Sequence, residues 1–227
     1  MAGKPMTPPP LAAVEVQTGP RPTGSVIWLH GLGADGHDFE PAVPDLVRSS
    51  VGALRFVFPH APVRPVTLNA GARMRAWYDI RGFERHSAQD EIGVRESDSA
   101  IRALIRRENE RGIATQRIVL AGFSQGGAMA LFTGTRLAER LAGIIGLSCY
   151  LPLAASFAVE RQAANQSTPS FLAHGSFDAV VDPRLGEETR ALLEAAAYPV
   201  EWHSYPMAHT VSAEEIGAIA AFLQRVL

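Results

Sequence analysis

A chain of 227 residues, 47% of them hydrophobic, has the material for one sizeable core, and its formal net charge of −2 gives no electrostatic reason to expect a nucleic acid or an anionic membrane as partner. The single cysteine, Cys149, excludes an intramolecular disulfide and a cysteine-based metal site, and it suits a reducing cytoplasm. No run approaches the ~20 apolar residues of a membrane span or forms the apolar stretch of a secretory signal, so a cytoplasmic protein without stable membrane insertion is expected.

Residues 1–10 hold four prolines and little to bury, which predicts a flexible tail ahead of a single domain over 11–227. Short apolar runs then alternate with longer helical patterns. An extra strand over 11–18 precedes strands over 26–29, 54–58, 118–121, 144–147, 170–173 and 200–205. Near-continuous apolarity in these runs means both faces are covered, as in a parallel sheet between helices. Helices are predicted over 89–111, 126–138, 185–197 and 212–226. Ser212 and Glu215 form a capping-box pattern at the start of the last one. Such alternation predicts an α/β fold with an open, mainly parallel central sheet flanked by helices. Ligands in such sheets bind at the carboxyl ends of the strands, so the residues just after each strand are the informative ones.

After the strand over 118–121 comes Gly122-Phe123-Ser124-Gln125-Gly126, and then a helix. This G-x-S-x-G lies between strand and helix, the context in which the serine becomes a nucleophile on a strained turn. The glycines two positions to either side leave room for that turn. The following helix points its N-terminus at the reacting oxygen, and the Gln125 N–H is placed to donate to an oxyanion.

A serine hydroxyl needs a positioned base. Chain order in this type of sheet runs serine, acid, histidine. Beyond Ser124 the histidines are His174, His203 and His209, and the aspartates are Asp178 and Asp182. His174 precedes both aspartates and is expected to tie down the acid loop. His203 falls inside a strand and is expected on its surface or against a helix. His209 occupies the loop before the capped final helix, where a base can reach Ser124. Asp182 stands beside Pro183 at a helix start and is expected to cap it. Asp178 is therefore the predicted acid, fixing the His209 tautomer.

The first strand ends in His30-Gly31-Leu32-Gly33-Ala34-Asp35-Gly36. Leu32 is the expected second oxyanion donor. The spacing also matches G-x-G-x-x-G, the phosphate cradle of dinucleotide sites. That alternative is disfavoured by His30, by two prolines where a long helix is needed, and by the lack of an acidic residue ending the strand near 54–58.

Together these segments resemble the carboxylesterase, lysophospholipase and acyl-protein thioesterase family of small α/β-hydrolases. The resemblance rests on WLHGLGADG, FPHAPVRPVT, MRAWYDI, GFSQGGAMAL, LSCYLP, HGSFDAVV and PMAHTVSAEEI, in that order from Trp28 to the last helix. It implies an α/β-hydrolase fold without a large lid domain, and it places nucleophile, acid and base on Ser124, Asp178 and His209, with oxyanion donors on Leu32 and Gln125. The chain departs from the family pattern at Ala34-Asp35, at Asp38-Phe39, at Cys149 where glycine is usual, and at Asp182. The implied reaction is acyl transfer to Ser124 and then to water, with no cofactor or metal. The implied substrate is a small-molecule ester or thioester, including a lipid, and the implied assembly is a homodimer.

Leu68, Trp77, Phe123, Val180 and Val181 lie near these segments and are expected, with Leu32, to line an acyl pocket. Carboxylic ester, lysophospholipid and S-acylated protein remain open as substrates. Two other readings compete: a dienelactone-type hydrolase, which usually carries cysteine at the nucleophile turn, and a binding module with a decayed triad.

Overall fold

The computed structural model describes residues 11–47, 52–82 and 88–227. The expected tail over 1–10 lies outside them. In chain order the strands are β1 (Ala13–Gln17), β2 (Gly24–Leu29), β3 (Leu54–Pro59), β4 (Val63–Val66), β5 (Ala72–Arg75), β6 (Ile118–Phe123), β7 (Gly143–Leu147), β8 (Ser170–Gly175) and β9 (Val200–Tyr205). The helices are α1 (Val43–Leu46), α2 (Glu91–Glu110), α3 (Gln125–Arg136), α4 (Phe157–Glu160), α5 (Pro183–Ala195) and α6 (Ala213–Val226).

Seven strands form one sheet in the order β1-β3-β2-β6-β7-β8-β9, and β4 and β5 form a separate hairpin. Within the large sheet only β1 runs antiparallel, against β3. Alternate side chains of each strand serve opposite layers. Ile27, Leu29, Leu120 and Ile144 pack with Val94, Ile101 and Leu104 of α2, with Met129 and Phe132 of α3 and with Leu193 of α5. Val26, Trp28, Phe56, Ile145 and Phe171 pack with Leu46 of α1 and Ile219, Phe222 and Leu223 of α6. Full burial of each such side chain contributes about 1.5–3 kcal/mol. The expected α/β-hydrolase architecture is therefore the observed one.

Caps set the helix starts. Asp90 accepts the Gly93 N–H at 3.2 Å and opens α2. Asp182 accepts the Arg184 N–H at 3.0 Å, and Pro183 at the first helical position starts α5 two residues earlier than the apolar pattern suggests. Ser212 accepts the Glu215 N–H at 3.1 Å. In the reciprocal half of that capping box the Glu215 carboxyl is fully buried; the Ser212 N–H acts on it, but among the described residues neither oxygen makes a full hydrogen bond.

Chain direction fixes where a ligand can sit. From β2 the chain passes to β3 on one side, then crosses back to β6 and proceeds through β7, β8 and β9 on the other. The loops after β2 and β6 thus diverge from neighbouring strands, which opens a crevice at the carboxyl rim. At the opposite rim, the buried Glu108 of α2 accepts from Ser25 Oγ at 2.9 Å, Arg55 Nη1 at 2.8 Å and Arg111 Nη1 at 2.9 Å. This network ties α2 to the amino ends of β2 and β3, far from the crevice.

Candidate active site

Ser124 lies between the last residue of β6 and the first of α3, with φ 54° and ψ −122°. A side chain in that backbone region is strained, and the packing around it holds the strain. The Ser124 N–H donates to the Leu147 carbonyl at 2.8 Å. A Cβ added at Gly122 would come within 2.3 Å of the Gly126 carbonyl, so α3 can approach β6 only over bare backbone.

The hydroxyl of Ser124 donates to Nε2 of His209 at 2.9 Å, and Nδ1 of His209 donates to Oδ2 of Asp178 at 2.7 Å. A carboxylate acceptor at Nδ1 puts the ring hydrogen there and leaves Nε2 able to take a proton. The Phe123 ring lies 4.7 Å from the imidazole, centroid to centroid, and braces it. Oδ1 of Asp178 accepts the N–H groups of Val180 at 2.8 Å and Val181 at 2.9 Å. Those donors lock the carboxylate's orientation.

His174, buried at the end of β8, donates from Nε2 to the Val181 carbonyl at 3.0 Å and stands 3.3 Å from Asp178 Oδ2. It holds the acid loop, and Gly186 makes room for it: a Cβ there would sit 2.5 Å from His174 Nδ1. His203, half-buried on β9, bonds Glu201 at 2.9 Å and stacks on Phe171 and Tyr205. Asp182 caps α5.

The loop after β2 is tightly folded. His30 is buried, which lowers its affinity for a proton; its Nδ1 donates to the Gly31 carbonyl at 2.7 Å and its Nε2 accepts the Ala61 N–H at 3.0 Å. The Gly33 N–H donates to the Arg75 carbonyl at 2.9 Å and the Gly36 N–H to His60 Nδ1 at 3.0 Å. Those two donors are spent inside the protein, and the short α1 follows instead of a long helix. The loop is therefore unlike a dinucleotide cradle.

Leu32, Phe123, Ser124, Gln125, Val180, Val181 and His209 meet around one cavity of about 230 Å³. Leu68 and Trp77 do not line it. Leu68 is exposed on the turn between β4 and β5, where its N–H bonds the Ile80 carbonyl at 2.8 Å. Trp77 is fully buried behind the wall, with Nε1 donating to the His30 carbonyl at 2.9 Å. Its neighbour Tyr78 and, further on, Ile80 and Tyr150 take the lining places. Gln125 explains that exchange. Its buried amide accepts the Trp77 N–H at 2.8 Å and donates to the Tyr78 carbonyl at 2.7 Å, fastening this extended segment to the start of α3.

The hydroxyls of Tyr78 and Tyr150 are 3.2 Å apart, and burial pushes both up in pKa, so both stay protonated at neutral pH. Cys149 packs against Gly127 of α3 and Gly146 of β7, and burial likewise keeps its thiol protonated. The mostly apolar cavity therefore opens beside a hydroxyl that is hydrogen-bonded to an imidazole, an arrangement suited to nucleophilic attack on a carbonyl.

Comparison with known proteins shows the family and the fold. The family model described as Phospholipase/Carboxylesterase matches residues 11–227. A Neurospora crassa protein named Acyl-protein thioesterase 1 is 42% identical over 224 residues, which covers 95% of this chain and 90% of that one. A Yarrowia lipolytica protein of the same name is 38% identical over 221 residues, covering 95% of this chain and 97% of that one. The crystal structure of Arabidopsis thaliana SOBER1 superposes with a TM-score of 0.84 at 31% identity, covering 89% of this chain and 98% of that one.

Proposed function

The chain belongs to the phospholipase/carboxylesterase family, and from that premise we propose that it hydrolyses carboxylic esters or thioesters through an acyl-enzyme on Ser124. One observation carries the reading: the unbroken hydrogen-bond chain from Asp178 through His209 to Ser124, ending at the mouth of an apolar cavity. His209 takes the hydroxyl proton as Oγ attacks the substrate carbonyl. Negative charge forms on the carbonyl oxygen, where the N–H groups of Leu32 and Gln125 receive it; each such donor is worth about 10²–10³ in kcat. The collapsing intermediate expels the alcohol or thiol, protonated by His209. Water then enters, gives its proton to His209, and releases the acid.

The names of the relatives favour thioesters of acylated proteins, while the cavity equally admits the chain of a lysophospholipid or of a small ester. A dienelactone-type activity is disfavoured by serine at the turn. The filled triad positions oppose a binding module. We assign the protein to the cytoplasm on its lone cysteine; among the described residues no helix is long and apolar enough to cross a membrane. A homodimer is the assembly to test.

The decisive experiment is labelling with a fluorophosphonate probe together with turnover of p-nitrophenyl and thioester substrates of increasing acyl length. Labelling at Ser124, abolished in Ser124→Ala, is the expected result. A folded protein that neither labels nor turns over any ester would be a binding module instead. Chain-length dependence ranks the substrate classes.

A further inference from the structure

The cavity beside Ser124 is walled largely by apolar and aromatic groups, and Asp38, on the loop between β2 and α1, is the carboxylate among its lining residues. The cations of that corner are engaged elsewhere. His37 bonds Glu40 at 2.7 Å, and Arg75 donates to the Ala61 carbonyl at 3.0 Å. The charge that acts on Asp38 is a second carboxylate, Asp35; burial and that like charge raise its proton affinity. Among the described residues Asp38 is thus an acidic group without a countercharge, partly desolvated at the edge of an apolar cavity. Phe123, Tyr78 and Tyr150 line the same cavity. Aromatic faces attract quaternary ammonium groups, and a carboxylate beside a low-dielectric wall acts further than one in open water.

We propose that Asp38 makes this site select its acyl substrates by charge, favouring esters and thioesters that carry a fixed cation near the cleaved bond over neutral isosteres, and neutral isosteres over anions. The inference rests on the hydrolase reading and names the substrate class within it. The group transferred is unchanged: the acyl carbon–sulfur or carbon–oxygen bond breaks, the acyl–Oγ bond forms, and His209 returns the Ser124 proton to the leaving thiol or alcohol. Only the charge carried beside that bond is discriminated. Screening limits an interaction of this kind at a water-exposed mouth, so the expected preference is about three- to tenfold in kcat/KM at low salt.

The test compares butyrylthiocholine with its neutral tert-butyl isostere and with a sulfonate analogue, reading thiol release. A second series carries the trimethylammonium on the acyl chain of a p-nitrophenyl ester, against its tert-butyl isostere. In the parent enzyme the cation-to-neutral ratio is expected to exceed one in at least one series, and to fall as ionic strength rises past the range where the Debye length is about 8 Å. Asp38→Asn keeps the shape and removes the charge, and should lower that ratio about three- to tenfold while relieving discrimination against the sulfonate. Ratios that are the same in parent and Asp38→Asn in both series overturn the proposal. A parent that turns over no member of either series, charged or neutral, overturns the hydrolase reading beneath it, so the two failures are distinguishable.

Discussion

Gly126, in the first turn of α3, lies directly on the carbonyl of Leu29 at the end of β2: a Cβ at Gly126 would stand 2.1 Å from that oxygen and 2.6 Å from the carbonyl of His30. The contact joins the turn bearing Ser124 to the loop bearing Leu32, the two segments that would share an oxyanion. Gly126→Ala must therefore push α3 away from β2 and open the elbow. Overpacking against backbone that cannot yield should cost at least about 3 kcal/mol. Gly217→Ala in α6 is the control, since its new methyl group meets nothing within 4 Å, and it should be neutral or gain up to about 1 kcal/mol. Urea midpoints measured on both variants check this. Equal tolerance of the two substitutions contradicts the packing described.

Asp178 and Asp182 are four residues apart and do unlike work. Asp178→Asn leaves the loop's shape but turns an acceptor at Oδ2 into a group that can present the wrong tautomer to His209, and about a 10⁴-fold loss in kcat is expected by analogy with other triads. Asp182→Asn retains a capping oxygen for the Arg184 N–H, so activity should stay near that of the parent and stability within about 0.5 kcal/mol. Ser124→Ala and His209→Ala should each abolish p-nitrophenyl ester turnover in folded protein. Stopped-time assays and circular dichroism on all four variants decide the matter; a reversal between the two aspartates would move the acid to 182.

Gln125 has two roles that substitution can separate. Its backbone N–H is the proposed oxyanion donor, while its side chain bridges Trp77 and Tyr78. Gln125→Leu keeps the first and strands a buried N–H and a buried C=O, each costing about 1–3 kcal/mol. Loosening the Tyr78 segment should raise KM for long acyl esters more than for acetate esters, because it deforms the cavity wall and leaves the hydroxyl–imidazole pair in place. Equal effects on short and long esters argue that the bridge does not shape the cavity.

The same bridge shows which parts of the protein were legible in the sequence. Strands such as β2 and β7 announce themselves because both faces are covered, which forces continuous apolar runs. The elbow is legible because a strained serine needs Gly122 and Gly126 at fixed offsets. The β4–β5 hairpin escapes notice: β4 carries Pro65, its side chains are largely exposed, and neither strand has the apolar pattern that the main sheet requires. Trp77 is the expected lining residue and Tyr78 the observed one, because proximity to a motif says nothing about which of two adjacent side chains faces inward. The Gln125 amide, 48 positions away, decides that, and no local pattern encodes it. Tyr150 joins the wall for the same long-range reason, from the loop after β7.

Glu215 supplies a prediction in pH. Its carboxyl is buried, and burial raises it from an ordinary 4.5 to about 7 against the smaller lowering effect of the Ser212 N–H. Above pH about 4.5 the unfolded chain releases this proton while the folded protein holds it, so stability falls between about 4.5 and 7. Above 7 the folded form has ionised too, and the deficit levels off at about 3 kcal/mol. Glu215→Gln cannot ionise. Its melting temperature relative to the parent should therefore be more favourable at pH 8.5 than at pH 5, by about 5–10 °C for a chain of this size. The comparison is a difference between two pH values, so a constant cost of burying the amide cancels. Parallel pH–stability curves for parent and variant would show that this carboxyl has found a partner or water in solution.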